Sequence, residues 1–160
     1  MSIKLIDKEL RKLLTDDVSE SIKNSKRHAV IAGGFLRDML AGDAPRDVDI
    51  FTFDLKLLHT LQQGLEKSNV LFDVIDMTEY GVSDENYINN VQIILVDDIN
   101  YAINRFNYAC NMISYDFNTL KTHHELTLND IMTKRLTDNY RENVREEKEL
   151  SLIYRGWRRS

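Results

Sequence analysis

Ala32-Gly33-Gly34-Phe35-Leu36-Arg37-Asp38, followed after a gap of eight residues by Asp47-Val48-Asp49-Ile50-Phe51, is the stretch on which the reading of this chain turns. A short apolar run from His28 to Ala32 precedes it, and Gly42 stops the helical run from Phe35 to Ala41. The order is therefore strand, glycine turn, helix, and a second strand from Asp47 to Phe53. Side chains along a strand alternate faces, so Asp47 and Asp49 project from the same side, roughly 7 Å apart at a rise of ~3.3 Å per residue. Like charges repel and aspartate is a poor strand former. The pair is thus either a solvated strand end or a place where a cation sits between two carboxylates. Gly33 and Gly34 lack Cβ atoms, accept positive φ and let a ligand approach the backbone, while the helix beyond them aims free N–H groups at the same spot. A glycine pair alone is an ordinary tight turn. A phosphate cradle beside a carboxylate pair describes a metal-nucleotide site, because Mg²⁺ takes one or two carboxylates together with phosphate oxygens.

Outward from this block, Ile6, Leu10, Leu13, Val18 and Ile22 recur at spacings near three and four and predict an amphipathic helix from Ile3 to about Ser25. Asp54 caps a helix carrying Leu55, Leu58, Leu61 and Leu65, and Val70 to Ile75 and Val91 to Val96 read as strands on either side of a polar stretch around Tyr80 to Asn90. Asp97 or Asp98 caps a further helix with Ile99, Ala102, Ile103 and Phe106, and Ala109 to Tyr115 reads as a last strand. Helical pattern returns at Leu128 to Leu136 and in a highly charged run from Arg141 to Trp157. Sheet first and helices last predict an α+β domain, a small mixed sheet flanked by helices with a C-terminal helical appendage. The expected division is a head over residues 1–120 and a short extension over 121–160.

A length of 160 residues with 42% apolar content suits one core of ordinary size. The single cysteine, Cys110, excludes an intramolecular disulfide and, with no run long enough to span a bilayer and no signal-like block at the start, points to the cytoplasm. A net charge of −5 excludes recruitment of nucleic acid by the field of the whole molecule, so any such partner must be held locally. Arg155, Arg158 and Arg159 beside Trp157 read as a solvated tail, with a cationic and aromatic tip for a phosphate or base as the alternative. His123-His124 reads as a solvated loop rather than a metal pair, and Cys110 as a buried core thiol.

Gly33-Gly34-x-x-Arg37-Asp38 with Gly42 and Asp47-x-Asp49 resembles the head signature of poly(A) polymerases and CCA-adding tRNA nucleotidyltransferases, within the DNA polymerase β superfamily. The run from Arg105-Phe106-Asn107 through Asn111 to Asp116 is similar to a second segment of that family, Leu136-Thr137-Asp138-Asn139 and Arg155-Gly156-Trp157 are similar to the start of its neck helices, and the combination most resembles short nucleotidyltransferase-like proteins of bacteriophages. The resemblance covers about residues 28 to 139. It implies transfer of a nucleoside monophosphate from an NTP to a hydroxyl of RNA or protein, with pyrophosphate leaving, in the cytoplasm of a host if the source is a phage. By the same resemblance Asp47 and Asp49 are the catalytic residues and hold Mg²⁺ or Mn²⁺, Gly33 and Gly34 hold phosphate oxygens, Arg37 and Arg105 face the nucleotide, and Asn111 supports the site. For Arg37 an ion pair with Asp38 or Asp43 is an equal alternative.

Two family acids are amides here, Gln92 in the strand where a third carboxylate is usual, and Asn107 after the arginine. Loss of a general base lowers a rate by roughly 10² to 10⁴. Asp73, Asp76 and Asp97 are the nearby acids able to substitute. The Glu-Asp-x-x-Arg element that reads the base in CCA-adding enzymes has only Glu146-Glu147 as a counterpart. These departures imply a second reading, a catalytically degenerate protein of this fold that binds nucleotide or a host protein.

Overall fold

The structure is a computed structural model that describes residues 3–78 and 88–160. The polar stretch expected from Tyr80 lies outside the described residues as far as residue 87. The N-terminal run folds as two helices rather than one, α1 (Ile3–Leu14) and α2 (Asp16–Lys23). Thr15 breaks them with φ 78, a left-handed value that a β-branched residue adopts only under strain. Ile6, Leu10 and Leu14 of α1 and Val18 and Ile22 of α2 are buried, so the break lets two apolar stripes reach one core.

Strand β1 (Ala29–Ala32) leads through Gly33 into α3 (Gly34–Ala41), which ends on Gly42 at φ 80. Then come β2 (Val48–Thr52), α4 (Leu55–Lys67), β3 (Asp73–Asp76), β4 (Val91–Leu95) and α5 (Ile99–Asn104). Asp54 accepts from the Leu57 amide at 3.1 Å and Asp98 from the Tyr101 amide at 2.8 Å, the caps that begin α4 and α5. The expected strand at Ala109 to Tyr115 begins instead as a 3-10 turn, Ala109–Asn111, and continues as β5 (Ile113–Tyr115), which folds back on β6 (Leu120–Thr122). Helix α6 (Thr127–Thr133) gives way to β7 (Arg135–Leu136), and α7 (Glu146–Tyr154) precedes β8 (Arg158–Arg159), so the predicted terminal helix is shorter than its charged sequence suggests.

Six strands form one mixed sheet in the order β3-β4-β2-β1-β5-β6, and β7 pairs with β8 in a small second sheet. One face carries Ile31, Ile50, Ile93 and Ile113 under α1 to α4. The other carries Val30, Phe51, Ile94 and Met112, covered by Ile99 and Ile103 of α5. Ile131, Leu136, Leu152 and Trp157 join the first of these clusters, so the C-terminal segment helps build the main core. Trp157 is 1% exposed, which overturns the expectation of a solvated tail and equally the alternative of an exposed aromatic tip.

Candidate functional site

Asp49 lies in β2 on the face of the sheet shared with Phe51, and Asp47 is exposed just before that strand. The Asp49 Oδ1 atom is buried and accepts no hydrogen bond. Burial pushes the Asp49 carboxyl up to about 6, the like charge of Asp47 adds to the rise, and Lys148 of α7 opposes it in part. A carboxylate oxygen desolvated with no donor is an unfavourable arrangement by itself, because a buried charge is normally paired or metal-bound.

Cross-strand register defines what stands beside it. In the parallel pairing of β2 with β4, Asp49 is opposite Gln92, and in that of β3 with β4, Gln92 is opposite Asp73. The three share one face in a row, with Gln92 at the centre. Gln92 therefore occupies the strand position next to Asp49 where the family resemblance places a third carboxylate. Asp73 is two strand spacings from Asp49, about 10 Å. Its oxygens already take the Ile88 amide at 3.1 Å, the Asn89 amide at 2.8 Å and the Asn89 Nδ2 at 3.0 Å. Asp76 is exposed and bonds Thr78 through the amide at 2.9 Å and the hydroxyl at 2.6 Å, contacts that hold its carboxyl below the usual range. Asp97 is exposed beyond the end of β4. None of the three adjoins Asp49 in the register, and no group of three or more metal-binding side chains occurs among the described residues.

Gly33 has φ 92, a conformation that strains any residue with a Cβ. Its amide donates to the Ile113 carbonyl at 3.1 Å, and its carbonyl accepts from the amides of Leu36 and Arg37 at 3.1 and 3.3 Å. The donors of the turn that meet no acceptor among the described residues are the amides of Gly34 and Phe35, at the start of α3. Gly33 shapes the turn, and its neighbours carry the open N–H groups.

Arg37 makes the ion pair that was one of its two expected roles. Its Nε donates to Asp38 Oδ1 at 2.9 Å and its Nη1 to Asn111 Oδ1 at 2.7 Å, and all three residues are buried. A Cβ on Gly34 would lie 3.2 Å from Arg37 Nη2, so the guanidinium packs directly beneath the turn. Asn111 Nδ2 donates to Asn107 Oδ1 at 2.6 Å, and the same oxygen accepts the Tyr108 amide at 2.9 Å. Both bonds use Asn107 as an acceptor, a role an aspartate fills equally well, so the amide at this position leaves the network intact.

A brace behind this network comes from residues whose role the sequence did not disclose. Arg155 Nη1 lies 3.5 Å from Asp38, and the Arg37 guanidinium stands over the Trp157 ring at 5.7 Å. Asp43 receives Lys134 Nζ at 2.9 Å and Trp157 Nε1 at 3.4 Å. Those bonds outweigh the effect of burial and hold the Asp43 carboxyl below its ordinary range. Only the loop Gly42-Asp43-Ala44 in its position next to the motif hinted at this.

Arg105 packs on two phenol rings, 4.3 Å from the Tyr101 centroid and 4.9 Å from that of Tyr140, and its Nη1 donates to the Tyr140 hydroxyl at 2.8 Å. Next to it, Phe106 comes within 3.7 Å of the Cβ position of Gly33 and packs on Phe51 with centroids 5.5 Å apart. His123 differs from the solvated loop expected of it. It is half-buried, with Nε2 2.8 Å from the Ser114 hydroxyl, and burial together with Lys121 and Arg27 lowers its pKa to about 4. Cys110 is the buried core thiol expected, its pKa pushed up to about 12 by burial.

Solved structures similar to this one include CCA-adding and other tRNA-processing enzymes. A tRNA-processing enzyme solved with CTP superposes with a TM-score of 0.56 at 19% identity, covering 89% of this chain and 43% of that one. A CCA-adding enzyme solved with ATP gives a TM-score of 0.58 at 14% identity over 94% of this chain and 42% of that one. The Bacillus stearothermophilus CCA-adding enzyme in complex with CTP gives 0.53 at 16% identity, over 89% and 39%. The chain spans less than half the length of each, and at these identities the likeness establishes the nucleotidyltransferase fold. The sequence matches no curated protein. The model of one protein family, described as Gabija anti-defense 2 family protein, matches residues 4–134.

Proposed function

The chain belongs to the Gabija anti-defense 2 family, and from that premise we propose that it is a metal-dependent nucleotidyltransferase, moving a nucleoside monophosphate from an NTP to a hydroxyl of RNA or protein. The observation that carries this reading is the Asp49 carboxylate, buried, unpartnered at Oδ1 and pressed by the charge of Asp47, on a strand beside the glycine turn. Asp47 and Asp49 fit a divalent cation, which restores the interaction that Asp49 lacks. A set of two carboxylates suits Mg²⁺, which completes its shell with water and phosphate oxygens. Such an ion, when bound, supplies charge neutralisation of the triphosphate and activation of the attacking hydroxyl.

The remaining work falls to the chain's own groups. The Gly34 and Phe35 amides donate to phosphate oxygens at the positive end of α3. Arg37, held by Asp38 and Asn111, fixes the turn from beneath and adds positive charge behind it. Arg105 orients the nucleotide from the side of α5. The solved relatives bound to CTP and ATP support an NTP as the substrate. The family's description as anti-defense supports an acceptor within a Gabija system, whether RNA or protein.

One observation favours a second reading. Gln92 places a neutral amide beside Asp49, where a general base would stand, so a protein that binds nucleotide or a host protein without catalysis accounts for the same site. Incubation with NTP labelled at the α-phosphate, Mg²⁺ and mixed RNA and protein acceptors separates the two. The enzyme reading expects label on an acceptor, lost in Asp47→Ala/Asp49→Ala. Nucleotide retained by the protein with no label transferred supports the degenerate reading.

A further inference from the structure

We propose that Tyr101 and Tyr140, both packed against Arg105, form a platform on which the base of the incoming NTP stacks. The inference rests on the nucleotide reading above and adds the part of the site that holds the base.

Three observations place it there. The Arg105 guanidinium lies 4.3 and 4.9 Å from the two ring centroids and is bonded to the Tyr140 hydroxyl, so the two tyrosines are tied to one cation before any ligand arrives. Preorganisation of this kind removes the ordering cost that a free tyrosine incurs on binding. The cluster is also tied to the glycine turn. Phe106 follows Arg105 directly and touches the Gly33 position, and Phe106's carbonyl accepts the Tyr140 amide at 3.2 Å and Asn139 Nδ2 at 2.9 Å. A triphosphate at the Gly34 and Phe35 amides thus has its nucleoside end within reach of α5. Finally, Tyr101 is 58% exposed although its ring packs on Arg105, so much of it stays in contact with solvent. An apolar ring face kept in water beside an anion cradle matches a base attached to a phosphate chain.

Recognition by ring faces has a definite signature. Every nucleobase has a π-face, so stacking contributes to binding of all four NTPs and nothing to binding of a triphosphate lacking a base. The test is calorimetric titration of ATP, GTP, CTP, UTP and inorganic tripolyphosphate, each with Mg²⁺, into wild type, Tyr101→Ala and Tyr101→Phe. Tyr101 lies on the exposed side of α5, outside both core clusters, so its truncation leaves the fold intact, which circular dichroism checks. Expected is a loss of roughly 5- to 150-fold in affinity for every NTP in Tyr101→Ala, recovery in Tyr101→Phe, and an unchanged affinity for tripolyphosphate. NTP affinity in Tyr101→Ala within twofold of wild type, or an equal loss for tripolyphosphate, overturns the platform and leaves the nucleotide reading standing. Failure of wild type to bind any NTP or tripolyphosphate overturns both.

Discussion

Replacing Asp49 with asparagine should stabilise this protein at neutral pH while removing a carboxylate of the proposed metal site. In the folded chain the carboxyl titrates near 6 against an ordinary value of 3.8. A displacement of about two pH units corresponds to about 3 kcal/mol of penalty on the ionised form, at ~1.4 kcal/mol per unit. The residue is partly exposed although its Oδ1 is buried. Water reaching it reduces the net effect to about 1 to 3 kcal/mol. Below pH ~4 the carboxyl is protonated in both folded and unfolded chains and carries no penalty. Between about 4 and 6 the unfolded chain releases the proton more readily, so wild type loses stability relative to Asp49→Asn, and above about 6 the difference is constant. For a chain of 160 residues this is a rise in Tm of about 2 to 10 °C in the variant at pH 7.5. Scanning calorimetry from pH 4 to 7.5 without divalent ions reads it directly. Adding Mg²⁺ with an NTP should then raise the Tm of wild type and leave the variant unmoved. A variant less stable than wild type at pH 7.5, or one whose pH profile runs parallel to it, would refute the argument that Asp49 is held in an unfavourable state.

Gln92→Glu places a carboxylate in register beside Asp49; it should tighten Mg²⁺ binding, raise any transfer activity by up to roughly 10²-fold or more and lower stability at neutral pH in metal-free buffer, and a label-transfer assay with parallel thermal scans checks all three. Trp157→Ala removes a fully buried ring that underlies Arg37; it should destabilise the fold by about 3 to 5 kcal/mol in urea titration, whereas a freely solvated tail would show no effect. Gly64→Ala forces a Cβ to 2.8 Å from Val18 Cγ2 at the packing of α2 on α4, and should cost about 1 to 3 kcal/mol in the same titration despite alanine's better helix propensity.

What could be read in the sequence was what depends on near neighbours. Gly33 before a helix, Asp54 and Asp98 as caps, and Asp49 on a strand are features of a few consecutive residues, and the structure shows the two caps and the strand. The position of Gln92 beside Asp49 is legible only through the family resemblance, because β4 is buried on both faces and its pairing with β2 joins distant segments of the chain. The rest depended on partners far along the chain. Arg37 finds Asn111, 74 residues away, and Trp157 finds Asp43, 114 residues away. No spacing rule reports such pairings. The charge of the terminal segment suggested solvent, yet Arg155 stands near Asp38 of α3 and Asp43 of the loop after it, and the indole of Trp157 enters the core. The break at Thr15 was invisible for a similar reason: the apolar period runs on through it, and only the packing of α1 and α2 into one core makes a strained residue acceptable there.

On the proposed reading Asp47 and Asp49 hold a metal-bound nucleotide at the glycine turn. Calorimetric titration of NTP into wild type and Asp47→Ala/Asp49→Ala, each with Mg²⁺ and with EDTA, tests it most directly. Expected is saturable binding by wild type that requires Mg²⁺ and disappears in the double variant. Binding of equal strength in the double variant, or no binding by wild type with Mg²⁺, would contradict it.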